Sequence, residues 1–147
     1  MENNNQTVFE HLWKYFEIHA QQRMTVFNYF IVVAGATITG IGFCIQQGVR
    51  YNYFASCLGF FLLILSFMFW KLDQRVSMFV KAAEEALIEH EKKFEINSFK
   101  IFTNEKIKTA SLEGITSAWT FGKCFRYTFA IMGYIGFISI FLPHLMN

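Results

Sequence analysis

The chain has 147 residues, is 54% hydrophobic and carries 19 phenylalanines; three apolar stretches of that weight leave too little polar surface to keep an ordinary small soluble domain dissolved. Its formal net charge of +2 is too small to argue for nucleic-acid binding. Cys44, Cys57 and Cys124 show no metal-ligand spacing and suit the role of small apolar filler, with Cys44 and Cys57 close enough to span ends to be neighbours.

Met1 to Thr7 is polar and lacks a basic n-region, so no cleavable signal peptide is expected. Residues 8–23 read as an amphipathic helix. Phe9, Leu12, Trp13, Phe16 and Ala20 recur at spacings of three and four, and Glu10, Lys14 and Glu17 take the other side. The aromatic face suits packing against another helix in water; the alternative is a helix lying in the head-group layer. Nothing between Arg23 and Thr25 breaks a helix, so this arm is expected to run straight into a first span, residues 24–46, long enough to cross a hydrocarbon core of roughly 30 Å.

A short turn, Gln46 to Tyr51, contains Gly48 and forces the next span to run antiparallel. The second span, residues 52–70, has no charge and ends on Phe69-Trp70-Lys71, an aromatic followed by a cation at the water interface. The helical pattern continues through Val76, Phe79, Val80, Ala83, Leu87 and Phe94. Asn97 to Lys108 lacks clean periodicity and reads as a turn with a short connecting element. Ser111 is placed to cap a helix starting at Leu112, containing Trp119, Phe121 and Phe125. That helix enters a third span, residues 127–146, whose last turns hold Pro143. The expectation is an all-α membrane protein in a single domain, 1–147, with helical extensions in water at residues 8–23 and 71–126.

Ten of the thirteen Lys and Arg residues lie between Lys71 and Arg126, and Lys14 and Arg23 lie in the N-terminal arm. The turn between the first two spans has only Arg50, and nothing basic follows the third. The positive-inside rule puts the N-terminus in the cytoplasm and the C-terminus outside, with anionic lipid head groups as the counter-charge.

Three groups of residues are candidates for function. Gly35/Thr39 and Ala36/Gly40 are small residues four apart in the first span, a spacing that permits close helix approach in lipid, either within a protomer or between protomers. Gly133 and Gly136 offer a weaker second surface. Asn28 lies about one turn into the first span, where a carboxamide needs a cross-helix partner or a polar lumen. Arg23 and Asp73 sit just below the first and second spans, at one depth in an antiparallel hairpin, and suit a bidentate pair. His19 lies one turn before Arg23, and Lys71, Arg75, Lys123 and Arg126 crowd the same layer. That layer reads as lipid anchoring or as a charged ring at the mouth of an oligomeric pore, tuned by His19. Glu84, Glu85, Glu89, Glu91 and Glu95 read as a solvated face. There is no glycine-rich phosphate loop, nucleophile elbow or zinc motif, so no catalytic residue, metal or cofactor is expected.

The stretch His19-Ala-Gln-Gln-Arg23-Met-Thr-Val-Phe-Asn28, followed by Phe69-Trp70-Lys71-Leu72-Asp73-Gln74-Arg75, resembles a family of small bacterial membrane proteins tied to antiphage defence, the membrane accessory proteins of type VI-B CRISPR systems. The resemblance covers roughly Trp13 to Leu87. It implies a ring-shaped homo-oligomeric pore in the bacterial inner membrane that depolarises it during infection, with an RNA-guided CRISPR effector as partner and no direct contact with nucleic acid. It also implies a divergent HEPN ribonuclease domain, whose order is Arg, four to six residues, then His. Here Arg75 lies fifteen positions before His90, and His19 and Arg23 stand in the reverse order. A membrane-bound ribonuclease and a membrane scaffold for a soluble defence complex remain the alternatives.

Overall fold

The structure, a computed structural model, describes residues 2–92, 100–110 and 119–145. Its main elements among the described residues are four α-helices: α1 Glu2–Gln46, α2 Asn52–Glu91, α3 Ile101–Ala110 and α4 Phe121–Leu145. A single 3-10 turn, Val49–Tyr51, leads into α2. The all-α expectation holds, and α1, α2 and α4 are each long and apolar enough to cross a membrane. The chain divides into two compact units, Met1–Arg23 with Arg75–Thr120, and Met24–Gln74 with Phe121–Asn147.

Helix α1 is unbroken for 45 residues, because neither proline nor a turn sequence interrupts it through Arg23 to Thr25. It stops at Gly48, whose φ of 87° lies in the left-handed region that a residue with a Cβ avoids. The Gly48 N–H donates to Ile45 O at 3.3 Å and the Tyr51 N–H to Gly48 O at 3.0 Å, which turns the chain into α2.

The second unit is built around Phe30, Ala34 and Ile41 of α1, Leu62 of α2, and Phe125 and Phe129 of α4. Phe30 meets Phe129 edge-on at 4.7 Å and lies 5.4 Å from Phe69, and Phe27 stacks on Phe125 at 4.0 Å. All three long helices therefore share one aromatic cluster. In lipid the surrounding tails are as apolar as these rings, so close packing, more than escape from water, rewards the contact.

Helices α2 and α4 come closest at glycine. A Cβ built on Gly59 would lie 2.9 Å from Gly136 O and 3.0 Å from Ile140 N; one on Gly136 would lie 2.8 Å from Gly59 O. Backbone fills both positions. At the end where α2 begins and α4 finishes, the last carbonyls of α4 find donors on α2: Asn52 Nδ2 donates to Pro143 O at 2.7 Å and Ser56 Oγ to Ile140 O at 2.8 Å. Pro143 O belongs to the last helical turn, whose acceptors lack intrahelical donors, and Ile140 O takes the Ser56 hydroxyl as an additional donor.

Two expectations change. Asn97 to Lys108 was expected to form a turn and a connector, yet Ile101–Ala110 is a helix, because the donors of its first turn are capped from α2 by Glu91, a contact distant in sequence. The helix expected from Leu112 through Trp119 is interrupted: Trp119 and Thr120 are not helical, and α4 begins at Phe121, six residues before the expected start of the third span. Phe94, Ser111 and Leu112 lie outside the described residues.

Replacing Gly59 by Ala should destabilise the protein by about 1–3 kcal/mol, the usual cost of overpacking a fitted contact, seen as a lower Tm in detergent. Gly133→Ala should be tolerated, because its Cβ would meet Ser66 Cβ at an ordinary 3.4 Å. Equal Tm changes for the two variants would contradict this account of the α2–α4 contact.

Candidate functional site

In the second unit α1 turns opposite faces to its neighbours and to its surroundings. Phe30, Ala34, Thr37 and Ile41 are buried, while Thr25, Asn28, Gly35, Ala36, Thr39 and Gln46 are exposed. At roughly 100° per residue the exposed polar positions centre about 170° from the buried ones. Thr37 and Thr39 satisfy their hydroxyls inside α1, donating to Val33 O at 2.7 Å and Gly35 O at 2.9 Å. Around the expected small-residue pairs, a Cβ on Gly35 would meet nothing within 4 Å, and one on Gly40 would lie 3.2 Å from Leu58 Cδ1. Gly35, Ala36 and Thr39 thus form an open surface of the chain, while Gly40 sits beside α2.

Asp73 is buried at 2% exposure, with the Arg126 Nε of α4 3.8 Å from its Oδ2. The pair joins α2 to α4 one turn beyond Trp70 and Lys71, where the apolar span gives way to charge. Removing Arg126 from a buried carboxylate is costly, because it strips a counter-charge from a group with little access to water. Of the other candidates, Asn28 belongs to this unit, whereas His19, Arg23 and Arg75 belong to the first.

In the first unit His19 is packed edge-on against Tyr15 at 4.3 Å and lies 5.2 Å from the Phe79 ring; its Nδ1 is 3.3 Å from Gln22 Oε1. The Arg75 guanidinium sits 6.0 Å from the centre of the same Phe79 ring, at the outer limit of a cation–π contact. The structure therefore brings His19 and Arg75 together across one phenylalanine. Burial pushes the Glu84 carboxyl above the usual range, Glu105 adds to the push, and Lys81, Arg23 and Lys106 pull against it.

The aromatic face of α1 packs onto helices. Phe9 lies 5.4 Å from His90 of α2, and Trp13 and Phe16 hold Phe102 of α3 at 6.0 and 5.4 Å. Beside them, buried Glu91 accepts the Phe102 N–H at 2.9 Å, the Thr103 N–H at 2.9 Å and the Thr103 hydroxyl at 2.8 Å. Glu91 had been placed on a solvated face. Burial pushes its carboxyl upward, but these hydrogen bonds outweigh it and hold the group below the usual carboxylate range. The sequence carried one signal for this: Lys100, at the start of α3, has no side-chain oxygen to cap the helix.

Arg126 as the partner of Asp73, and Asn52 and Ser56 as caps of α4, were also not singled out as such. Ser56 Oγ donates to Ile140 O, so it accepts from His144 Nε2 at 3.2 Å, which places a proton on that nitrogen. Cys44 and Cys57 are free thiols that line one apolar cavity of about 380 Å³ with Phe43, Tyr51, Phe54 and Leu58. Among the described residues no group of three or more His, Cys, Asp or Glu could hold a metal ion.

No protein-family model matches the chain, and no solved structure matches it. A protein of Escherichia coli, CD-NTase-associated protein 19, is 49% identical to it over 138 residues, which is 94% of this chain and 91% of that protein.

Acid should undock α3. Because the folded state holds Glu91 below its ordinary pKa, the stability it contributes is complete above that ordinary value and is lost as pH falls through the folded one. Glu84 works in the opposite sense, its contribution being lost as pH rises through its raised value. With Trp70 and Trp119 replaced by Phe, Trp13 fluorescence should report loss of the Phe102 contact as pH falls below the ordinary carboxylate range. Glu91→Gln should flatten that step, and an unchanged step in the variant would assign it to another group.

Proposed function

The chain belongs to the CD-NTase-associated protein 19 family, and on that premise we propose that it is the membrane effector of a CBASS antiphage defence system. It assembles as a closed homo-oligomeric ring in the bacterial inner membrane and permeabilises it. The N-terminus and the charged region 71–126 lie in the cytoplasm and the C-terminus outside, as the distribution of Lys and Arg favours. A CD-NTase takes the place of the RNA-guided CRISPR effector as soluble partner, because the relative is named for its association with one.

The observation that carries the pore is Asn28. Its carboxamide is exposed about one turn into an apolar span, on the α1 face opposite the protomer's own core. A carboxamide facing lipid tails without a partner costs roughly 2–7 kcal/mol, so water or another copy of the chain must cover it. Thr25, Gly35, Thr39 and Gln46 continue the same face along the span. Val32 and Phe43 are exposed on this face as well; ringed around an axis, such faces line a narrow path of mixed polar and apolar character, and cyclic symmetry satisfies every interface without an open end. The buried Asp73–Arg126 pair braces α2 against α4 at the inner end of the spans, where an axial gate would act; His19, Arg23 and Arg75 supply the cytoplasmic charge that tunes it. The chain acts without catalysis, metal or cofactor.

Purified protein in planar bilayers should conduct, and Asn28→Leu should reduce single-channel current by about twofold or more while the oligomer persists. In infected cells the complete system should collapse the membrane potential. Full phage protection with a normal potential would select a scaffold that recruits the CD-NTase and would end the pore reading.

A further inference from the structure

Between α1 and α2, beside the turn that joins them, the protein leaves a gap. Phe43 and Cys44 of α1, Tyr51 of the 3-10 turn, and Phe54, Cys57 and Leu58 of α2 line a cavity of about 380 Å³. One turn further from the joint the helices close again, since a Cβ on Gly40 would lie 3.2 Å from Leu58 Cδ1. Phe43, Tyr51, Phe54 and Cys57 are exposed, so the gap opens on the surface. At roughly 100° per residue, Phe43 and Cys44 centre about 90° around α1 from the polar face at Asn28, so the gap lies beside that face. Packed interiors seldom leave a void this large, and about 150 Å³ already admits a benzene ring. The lining holds no charged side chain, so water placed there would lack the polar partners it needs. Hydrocarbon matches these walls, and α1 and α2 are long and apolar enough to lie in it.

Arg50 is exposed in the same turn, next in sequence to Tyr51. It is the only Lys or Arg between Met24 and Trp70. Asp73 is the only Asp or Glu in the sequence of the second unit. It stands roughly 30 Å along α2 from the turn, beside Arg126. No carboxylate side chain of this unit is therefore within reach of Arg50. A guanidinium at the edge of an apolar span meets the phosphate layer, and it binds phosphate in bidentate fashion.

We propose that this gap is a phospholipid site. One acyl chain fills the space between α1 and α2, and Arg50 holds the phosphate of the same lipid at the head-group layer. The site requires α1 and α2 to cross a bilayer, as they do in the proposed effector, and does not require the assembly to conduct.

Full-length protein reconstituted in vesicles of phosphatidylethanolamine and phosphatidylglycerol, then extracted into detergent, gives the test by native mass spectrometry. The unaltered chain should retain one phospholipid per protomer through washing that strips loosely held lipid. Arg50→Gln, which changes only an exposed turn residue, should lower that occupancy by about tenfold or more, the scale of one charge-assisted hydrogen bond. Cys57→Trp, which puts a ring into the gap, should abolish it; Arg50→Gln remains decisive even if Cys57→Trp fails to fold. Phe60→Trp, at an exposed residue of α2 outside the gap, should keep the lipid. No retained phospholipid, detergent alone in its place, or occupancy unchanged in Arg50→Gln would each overturn the site. Current is recorded in the same vesicles: retained, Arg50-dependent lipid without conduction would end the pore reading and still support the site.

Discussion

Every polar group placed among lipid tails must find its partner inside the protein, and that constraint organises the second unit. Within a helix the backbone meets it automatically, so the difficult places are helix ends and polar side chains. Asn52 and Ser56 meet it at the end of α4, and Thr37, Thr39 and Ser139 meet it by donating to carbonyls four residues back. Since lipid supplies little hydrophobic drive between helices, contact quality must supply the rest. This is why α2 and α4 meet through backbone at Gly59 and Gly136, and why aromatic rings from three helices interlock around Phe30 and Phe129.

On the proposed topology the first unit obeys a different solvent. Its buried side chains, Val76, Val80, Ala83 and Leu87, recur on α2 at helical spacing, as an amphipathic helix in water requires. Its polar groups can turn to solvent, so the few that are buried and bonded carry more meaning. Glu91 is the clearest: a carboxylate at 3% exposure, held ionised by the first turn of α3. Asp73 is its counterpart in the second unit, a buried carboxylate facing an arginine on a helix far along the chain.

The three long helices were legible because hydropathy runs and helical spacing are local properties. The continuity of α1 followed from the absence of a breaker at Arg23 to Thr25, and the turn at Gly48 followed from glycine's access to positive φ. What escaped the sequence was pairing. Gly35/Thr39 and Ala36/Gly40 stood out because they lie in a run of small residues; the tightest approach pairs Gly136, a weaker candidate in the sequence, with Gly59, whose neighbours in sequence are large. Arg126 was visible as one of several cations at the interface, but nothing local marks it as a cation that reaches Asp73. Helix α3 was missed for the same reason, since its cap comes from a residue nine positions before Lys100. The relative's name likewise turned the proposed partner from a CRISPR effector to a CD-NTase, a distinction that motifs shared among small membrane proteins could not draw.

The central claim is that the Asn28 face of α1 is turned away from lipid in the working assembly. A nitroxide attached at Asn28→Cys, in protein reconstituted into bilayers, measures this through its collision rates with oxygen, which favours lipid, and with a water-soluble nickel chelate. Position 28 should show low oxygen access and measurable nickel access, whereas a label at Phe60, an exposed residue of α2, should show the reverse. Oxygen access at position 28 equal to that at Phe60 would put the carboxamide in the hydrocarbon and contradict the account.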